Sequence, residues 1–332
     1  MLIRVERTED AERVRRTLAT FGVWVDRVER GAGRPGATLV ASSHSDLARA
    51  TDLLAIPGVV DVTDAVSPHP SLDAAPRTFE VREGWSLGGR ERTIVAGPCA
   101  VESEEQIDRL AARLSAMGIR WLRGGAFKPR TSPHAFQGHG ASALGWLRDA
   151  ARRHGMAVVT EALSETHVDD VADVADLVQV GSRNMSNFAL LRAVGRTKRP
   201  ALLKRAAAAT VDEWLLAAEH LHTSGCPFVV FCERGVRGFD GGTRNLLDLG
   251  TVALLARVHG LPTFVDPSHG TGRRELVRPM ARAGLAAGAH GLVVEVHDAP
   301  EAASSDGPQA LRPAELEGVL RDLARVDGWR ET

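Results

Sequence analysis

From about residue 93 onward the chain alternates short runs of β-branched and aliphatic residues with amphipathic helical stretches, and it does so eight times. The runs are TIVA (93–96), IRWLR (119–123), AVVTE (157–161), LVQVG (177–181), ALLKR (201–205), FVVFCE (228–233), TFVD (263–266) and GLVVEV (291–296). Parallel strands cannot be joined by a tight turn and need a helical crossover, so eight such units in a row predict a closed (β/α)8 barrel. The runs are apolar almost throughout, as strands buried on both faces must be. Between them, EEQIDRLAARLSAMG puts Ile107, Leu110, Leu114 and Met117 on one helical face and stops at Gly118. ATVDEWLLAAEHLHTSG repeats the pattern, with Thr210 as N-cap and Gly225 as terminator.

A barrel of this kind takes about 250 residues, whereas the chain has 332. The surplus lies at the front and follows another rhythm. LIRVE, VWVDRVE, GATLVAS and VVDVTDA read as strands, with helices over DAERVRRTLATFG and HSDLARATDLLAI. That β-α-β-β-α-β order predicts a small ferredoxin-like module over residues 1–66. Residues 67–92 then read as linker and barrel entry, because SPHPSLDAAPR (67–77) is rich in Pro, Ser and Ala. The barrel is expected over 93–332.

Charge and composition exclude several classes. A formal net charge of −1 leaves no basic excess for nucleic acid. No stretch approaches the roughly 18 apolar residues of a membrane span, and the charged MLIRVERTEDAERVRR has no apolar signal segment. Three cysteines are too few for a disulfide framework, so a reduced cytoplasm is the expected compartment.

Barrel enzymes carry their chemistry at the C-terminal ends of the strands. Here those ends hold Arg123, Lys128, Arg130, Arg183, Lys204 and Arg234. A single arginine is usually a solvated surface charge, but six cations around one mouth call for an anion such as phosphate or carboxylate. Lysine occurs only at 128, 198 and 204, and two of these three lie at strand ends. Cys99, His269, Glu295 and Asp306 form a second set at the strand ends. Their separations match no zinc-finger spacing, yet a barrel can gather them. One thiolate, one imidazole and two carboxylates suit Mn, Fe, Co or Zn better than Ca or Mg. Cys226 and Cys232 read as buried core residues. GFDGGTRN (238–245) lacks the ending of a P-loop and reads as a flexible loop.

With these residues in view, the chain resembles the 3-deoxy-D-arabino-heptulosonate 7-phosphate (DAHP) synthases, in the compact type with an N-terminal ferredoxin-like extension. The matching segments are AGPCAVES, RGGAFKPRTSPHAFQG, VVTEAL, QVGSRN, LLKR, CERG, TRNLLDL, DPSHGTGRREL, GAHGLVVEVH and SDGPQAL, in order over roughly 93–311. The resemblance implies metal-dependent condensation of phosphoenolpyruvate with erythrose 4-phosphate and water, giving DAHP and phosphate, the first step of the shikimate pathway. It implies metal ligation by Cys99, His269, Glu295 and Asp306. The phosphoenolpyruvate site maps onto Arg123, Lys128, Arg183, Lys204 and Arg234. The erythrose 4-phosphate site maps onto Lys128, Pro129, Arg130, Thr131 and Asp266. Lys128 is the candidate for proton transfer, Glu161 for placing the water, and His269 joins them as a catalytic candidate. In relatives with the extension, an aromatic amino acid binds there, and tetramers are frequent; a homo-tetramer or homo-dimer is expected.

Three other functions compete. The sister synthase making 3-deoxy-manno-octulosonate 8-phosphate from arabinose 5-phosphate carries a segment like KANRS where this chain has KPRTS. A specialised synthase for another phosphorylated aldose is suggested by KRAAAAT (204–210), where the family usually has KRG, and Gly238 stands where a Thr is commoner. A non-catalytic amino-acid sensor would have no physical need of the four-ligand set.

Overall fold

The computed structural model describes residues 1–30, 36–41, 43–44, 48–63, 67–89, 92–128, 132 and 134–328. The chain divides into two compact units, Met1–Pro68 and His69–Thr332.

In the first unit, strands Arg27–Arg30, Ala37–Val40, Leu2–Val5 and Val59–Thr63 lie side by side in that order, all antiparallel. Counted along the main sheet this is second, third, first, fourth, the ferredoxin-like arrangement. Ile3, Val5 and Leu39 bury one face against Val14, Leu18 and Leu53 of helices Ala11–Thr20 and Ala50–Leu54. The single strand expected over VWVDRVE is broken in two. Val23–Trp24 pairs with Ser43–His44, and Arg27–Arg30 joins the main sheet.

In the second unit, eight parallel strands close on themselves: Thr93–Gly97, Trp121–Arg123, Ala157–Ala162, Leu177–Val180, Ala201–Lys204, Val229–Glu233, Thr263–Val265 and Gly291–Glu295. The last pairs with the first from Gly291↔Thr93 to Glu295↔Gly97. Each bound falls within two residues of the run read from the sequence. The helices are capped as their sequences dictate. Ser103 accepts from Gln106 N at 3.1 Å, and Thr210 forms a reciprocal capping box with Glu213. The helices pack their apolar faces on the outside of the strands in one continuous core.

Residues 67–92 are not a bare linker. Pro70–Asp73 is a helical turn whose Ser71 and Leu72 amides donate to Glu219 at 3.0 and 2.8 Å, with Leu72 buried. Phe79–Arg82 and Trp85–Leu87 form a hairpin that packs into the barrel interior. Leu87 is fully buried among Val95, Trp121, Leu177 and Phe228, and Phe79 stacks on Phe228 with ring centroids 5.6 Å apart. Trp121 opens its strand and Phe228 directly precedes one, so the hairpin closes the N-terminal end of the barrel. Sequence composition reports local propensity only, and this docking is tertiary.

The hairpin's anchor gives a stability prediction. Leu87→Ala leaves a void in a closed interior and is expected to cost about 2–5 kcal/mol. Urea unfolding measures it; a loss below about 1 kcal/mol would mean the hairpin does not plug the barrel.

Candidate active site

The open, C-terminal end of the barrel gathers the polar side chains. Glu295 ends the eighth strand and is fully buried. Its Oε1 accepts from Arg123 Nη1 at 3.0 Å and lies 3.3 Å from His269 Nε2, while Oε2 accepts from Gln309 Nε2 at 2.6 Å. Its backbone amide donates to Ser268 Oγ at 3.0 Å. Burial pushes its carboxyl toward the neutral form, but the facing His269 and Arg123 outweigh it and hold its pKa below the usual value.

Asp266 caps the short helix Pro267–Thr271, Oδ1 accepting from His269 N at 2.9 Å. Its Oδ2 receives Lys204 Nζ at 2.5 Å and His269 Nδ1 at 2.7 Å. Asp266 therefore faces inward onto two cation-capable groups. Burial lowers the His269 pKa despite its acidic neighbours; Nδ1 sits against Asp266, and Nε2 is turned toward Glu295. A metal-binding histidine is oriented in this way.

Cys99 follows the first strand. Its Sγ lies 2.9 Å from Ser305 Oγ, 3.1 Å from Asp306 Oδ2 and 3.0 Å from Lys128 Nζ. Lys128 Nζ also donates to the Cys99 carbonyl at 2.9 Å. Burial and the neighbouring Glu295 push the thiol up to about 12. Asp306 adopts the left-handed conformation at φ 53°, which Asp tolerates better than most residues. Gly307 follows because a Cβ there would meet the Pro300 carbonyl at 2.1 Å. One donor atom each from Cys99, Glu295 and Asp306 lies within 4.8 Å of the others. His269 touches this triad through Glu295 and is not itself within it.

A soft thiol, two carboxylates and an imidazole aimed at them fit a borderline divalent ion. Cys99 supplies a further reason: even with Lys128 beside it, burial and the nearby carboxylates hold the thiol at about 12, whereas ligation to a metal would hold it as a thiolate.

The six cations behave differently from one another. Arg123 is paired with Glu295 and Lys204 with Asp266, both buried. Arg234 is half-buried, and among the described residues it has no hydrogen-bonded or ion-paired partner. Burial, Arg244 and Arg183 lower its pKa against the pull of Asp266, the signature of a cation short of negative charge. Arg183 is exposed on the turn after the fourth strand. Pro129, Arg130 and Thr131 lie outside the described residues. Glu161 is half-buried; its Oε2 accepts from Gln179 Nε2 at 2.8 Å, and a Cβ on Gly181 would collide with its Oε1.

Sequence similarity and overall structure agree on what carries such a site. The sequence model of the DAHP synthetase I family matches residues 77–327. The chain belongs to that family. A phospho-2-dehydro-3-deoxyheptonate aldolase of Thermotoga maritima is 50% identical over 240 residues, covering 72% of this chain and 71% of the relative. A 2-dehydro-3-deoxyphosphooctonate aldolase of Nitrosococcus oceani is 31% identical over 263 residues, covering 74% and 93%. The crystal structure of the Thermotoga maritima DAHP synthase matches 98% of this chain and 96% of its own, with TM-score 0.76 and 36% identity.

Several residues of this DAHP synthetase I family site escaped the sequence reading. Ser268, Ser305, Gln179 and Gln309 act as hydrogen-bonding supports, and no local spacing announces such a role. Arg205, next to Lys204, points to the other side of the strand, as a two-residue repeat requires. There it pairs with Glu233 at 3.1 Å and Asp248 at 2.9 Å beside Trp214. Ala206, where the family usually has Gly, needs no positive φ, so the KRAAAAT loop forms without strain at that position.

Burial also pushes Cys226 up to about 12 and Cys232 higher still. EDTA-treated folded protein at about pH 8 is expected to show no fast-reacting thiol toward Ellman's reagent, and all three after denaturation. A single fast thiol in the folded state would contradict the burial of one of the three.

Proposed function

We propose that the chain condenses phosphoenolpyruvate with erythrose 4-phosphate and water to give DAHP and phosphate, the first step of the shikimate pathway. One observation carries this reading: a metal-type donor set and a cationic pocket share a single barrel mouth in a member of the DAHP synthetase I family. The 50% identity to a phospho-2-dehydro-3-deoxyheptonate aldolase, against 31% to an octulosonate counterpart, favours the four-carbon aldose.

In this reading Arg234, Arg183, Lys204, Arg123 and Lys128 grip the phosphate and carboxylate of phosphoenolpyruvate. Arg234 carries the most unbalanced charge. The aldose phosphate falls to Lys128, Pro129, Arg130 and Thr131 on the strength of the KPRT motif. Asp266 fixes Lys204 and His269, and in this reading it is also assigned to the aldose hydroxyls. Cys99, His269, Glu295 and Asp306 would hold a divalent ion of the Mn, Fe, Co or Zn class, which when bound supplies Lewis-acid polarisation of the aldehyde oxygen. The cations hold both polyanions in attacking geometry, which their mutual repulsion otherwise forbids. C3 of phosphoenolpyruvate then attacks the aldehyde carbon. Water adds at C2, placed by Glu161, which is itself held by Gln179. Phosphate leaves from C2, with Lys128 as the proton-transfer group.

The Met1–Pro68 unit contributes none of these residues. We assign it the binding of an aromatic amino acid effector, and the assembly a homo-tetramer or homo-dimer. No helix among the described residues is long and apolar enough to cross a membrane.

The activity is tested by phosphate release from phosphoenolpyruvate with erythrose 4-phosphate or arabinose 5-phosphate, before and after EDTA. Release with erythrose 4-phosphate alone, abolished by EDTA and restored by Mn²⁺, is expected; release with arabinose 5-phosphate alone would reverse the substrate assignment. Arg234→Ala should raise KM for phosphoenolpyruvate about ten- to hundredfold, as loss of a charged hydrogen bond does, and leave KM for the aldose nearly unchanged. An equal rise in both would refute the anion role given to Arg234. Deleting residues 1–68 should abolish inhibition by Phe and Tyr; unchanged inhibition would remove the regulatory role.

A further inference from the structure

The TRNLLDL stretch (243–249) matches the family, yet the chemistry above makes no use of its Arg and Asn. Their backbone runs along the turn that carries His269. Arg244 N donates to Thr271 O at 2.9 Å and Asn245 N to Gly270 O at 3.1 Å. Asn245 Nδ2 donates to the His269 carbonyl at 3.0 Å. Gly272 stands at φ 68°, and a Cβ there would lie 2.7 Å from Arg244 Cβ, so only Gly admits this approach.

From that anchored backbone the Arg244 guanidinium reaches toward both carboxylates of the donor set. Nη1 donates to Gln309 Oε1 at 2.8 Å, and both terminal nitrogens lie 3.4 Å from Asp306 Oδ1. Gln309 is buried and passes the contact on, its Nε2 donating to Glu295 Oε2 at 2.6 Å. An amide offers an acceptor at one end and donors at the other, so Gln309 facing Arg244 with its oxygen must face Glu295 with its NH2. One short segment thus braces the elements bearing His269, Asp306 and Glu295.

We propose that Arg244 and Gln309 form a positioning relay that holds the Glu295 and Asp306 carboxylates at the spacing a divalent metal ion requires. The relay rests on the metal reading given above. Glu295 and Asp306 are like charges whose oxygens, with Cys99 Sγ, lie within 4.8 Å of one another, and they repel. Arg244 and the Gln309 amide offset that repulsion. Gln309 occupies Glu295 Oε2 while Arg123 and His269 occupy Oε1, which fixes the rotation of the carboxylate at both ends. Neither relay residue touches the reacting atoms, so the effect appears in metal affinity.

The test is the Mn²⁺ dissociation constant of the full chain, stripped with EDTA and followed by the EPR signal of free Mn²⁺. Parent, Arg244→Ala, Gln309→Leu and the double variant are compared. Outer partners of metal ligands typically contribute ten- to hundredfold in affinity, so each single variant should bind Mn²⁺ that much more weakly. The double variant should lose no more than the worse single one, because both break the same path. The Arg244 side chain is 45% exposed and its removal leaves no core void, so Arg244→Ala decides the matter should Gln309→Leu fail to fold. Variants within twofold of the parent overturn the relay, and losses that multiply in the double variant overturn it as a single path. A parent that binds no Mn²⁺ overturns the metal reading and the relay with it.

Discussion

A carboxylate with no access to water, Glu295, organises the mouth of this barrel. An isolated charge at such a depth costs several kcal/mol, and it persists only because three other elements bring partners to it. Arg123 arrives from the second strand, His269 from the turn after the seventh, and Gln309 from the segment after the eighth. The ring must be closed for these ends to meet, since the eighth strand pairs with the first through Glu295↔Gly97. Fold and site are therefore one constraint: opening the barrel would strand the charge.

The same logic separates two kinds of cation. Lys204 and Arg123 are balanced within the protein and act as fixed, oriented groups, costing no reorganisation when a ligand arrives. Arg234 is left short of negative charge beside Arg183 and Arg244. A pocket built this way is already arranged for an anion, and the anion completes its electrostatics. The six-cation mouth inferred from the strand ends is thus narrower in effect, with Arg123 and Lys204 committed internally.

What could be read from the sequence follows from which forces are local. The eight strands were legible because burial on two faces forces an apolar run, and a run is visible without neighbours. Helix caps such as Thr210 were legible for the same reason. The positions of Cys99, Glu295 and Asp306 followed once eight strands implied a ring, with the family resemblance naming them as a set. Gln309, Gln179, Ser268 and Ser305 were not legible, because a supporting hydrogen bond depends on a partner distant in sequence. The hairpin at residues 79–87 was missed because its residues become core only against Phe228 and Trp121. Asp266 shows the intermediate case: its place was foreseen, while its commitment to Lys204 and His269 required coordinates.

That hairpin has a kinetic meaning beyond its packing. With Leu87 and the stacked Phe79 and Phe228 stopping one end of the barrel, the reaction chamber is a blind cup with a single rim. Everything that enters must leave the way it came. The end of the barrel where no chemistry occurs offers no second exit, because the hairpin seals an interior already filled by Val95, Leu177, Leu202 and Val230.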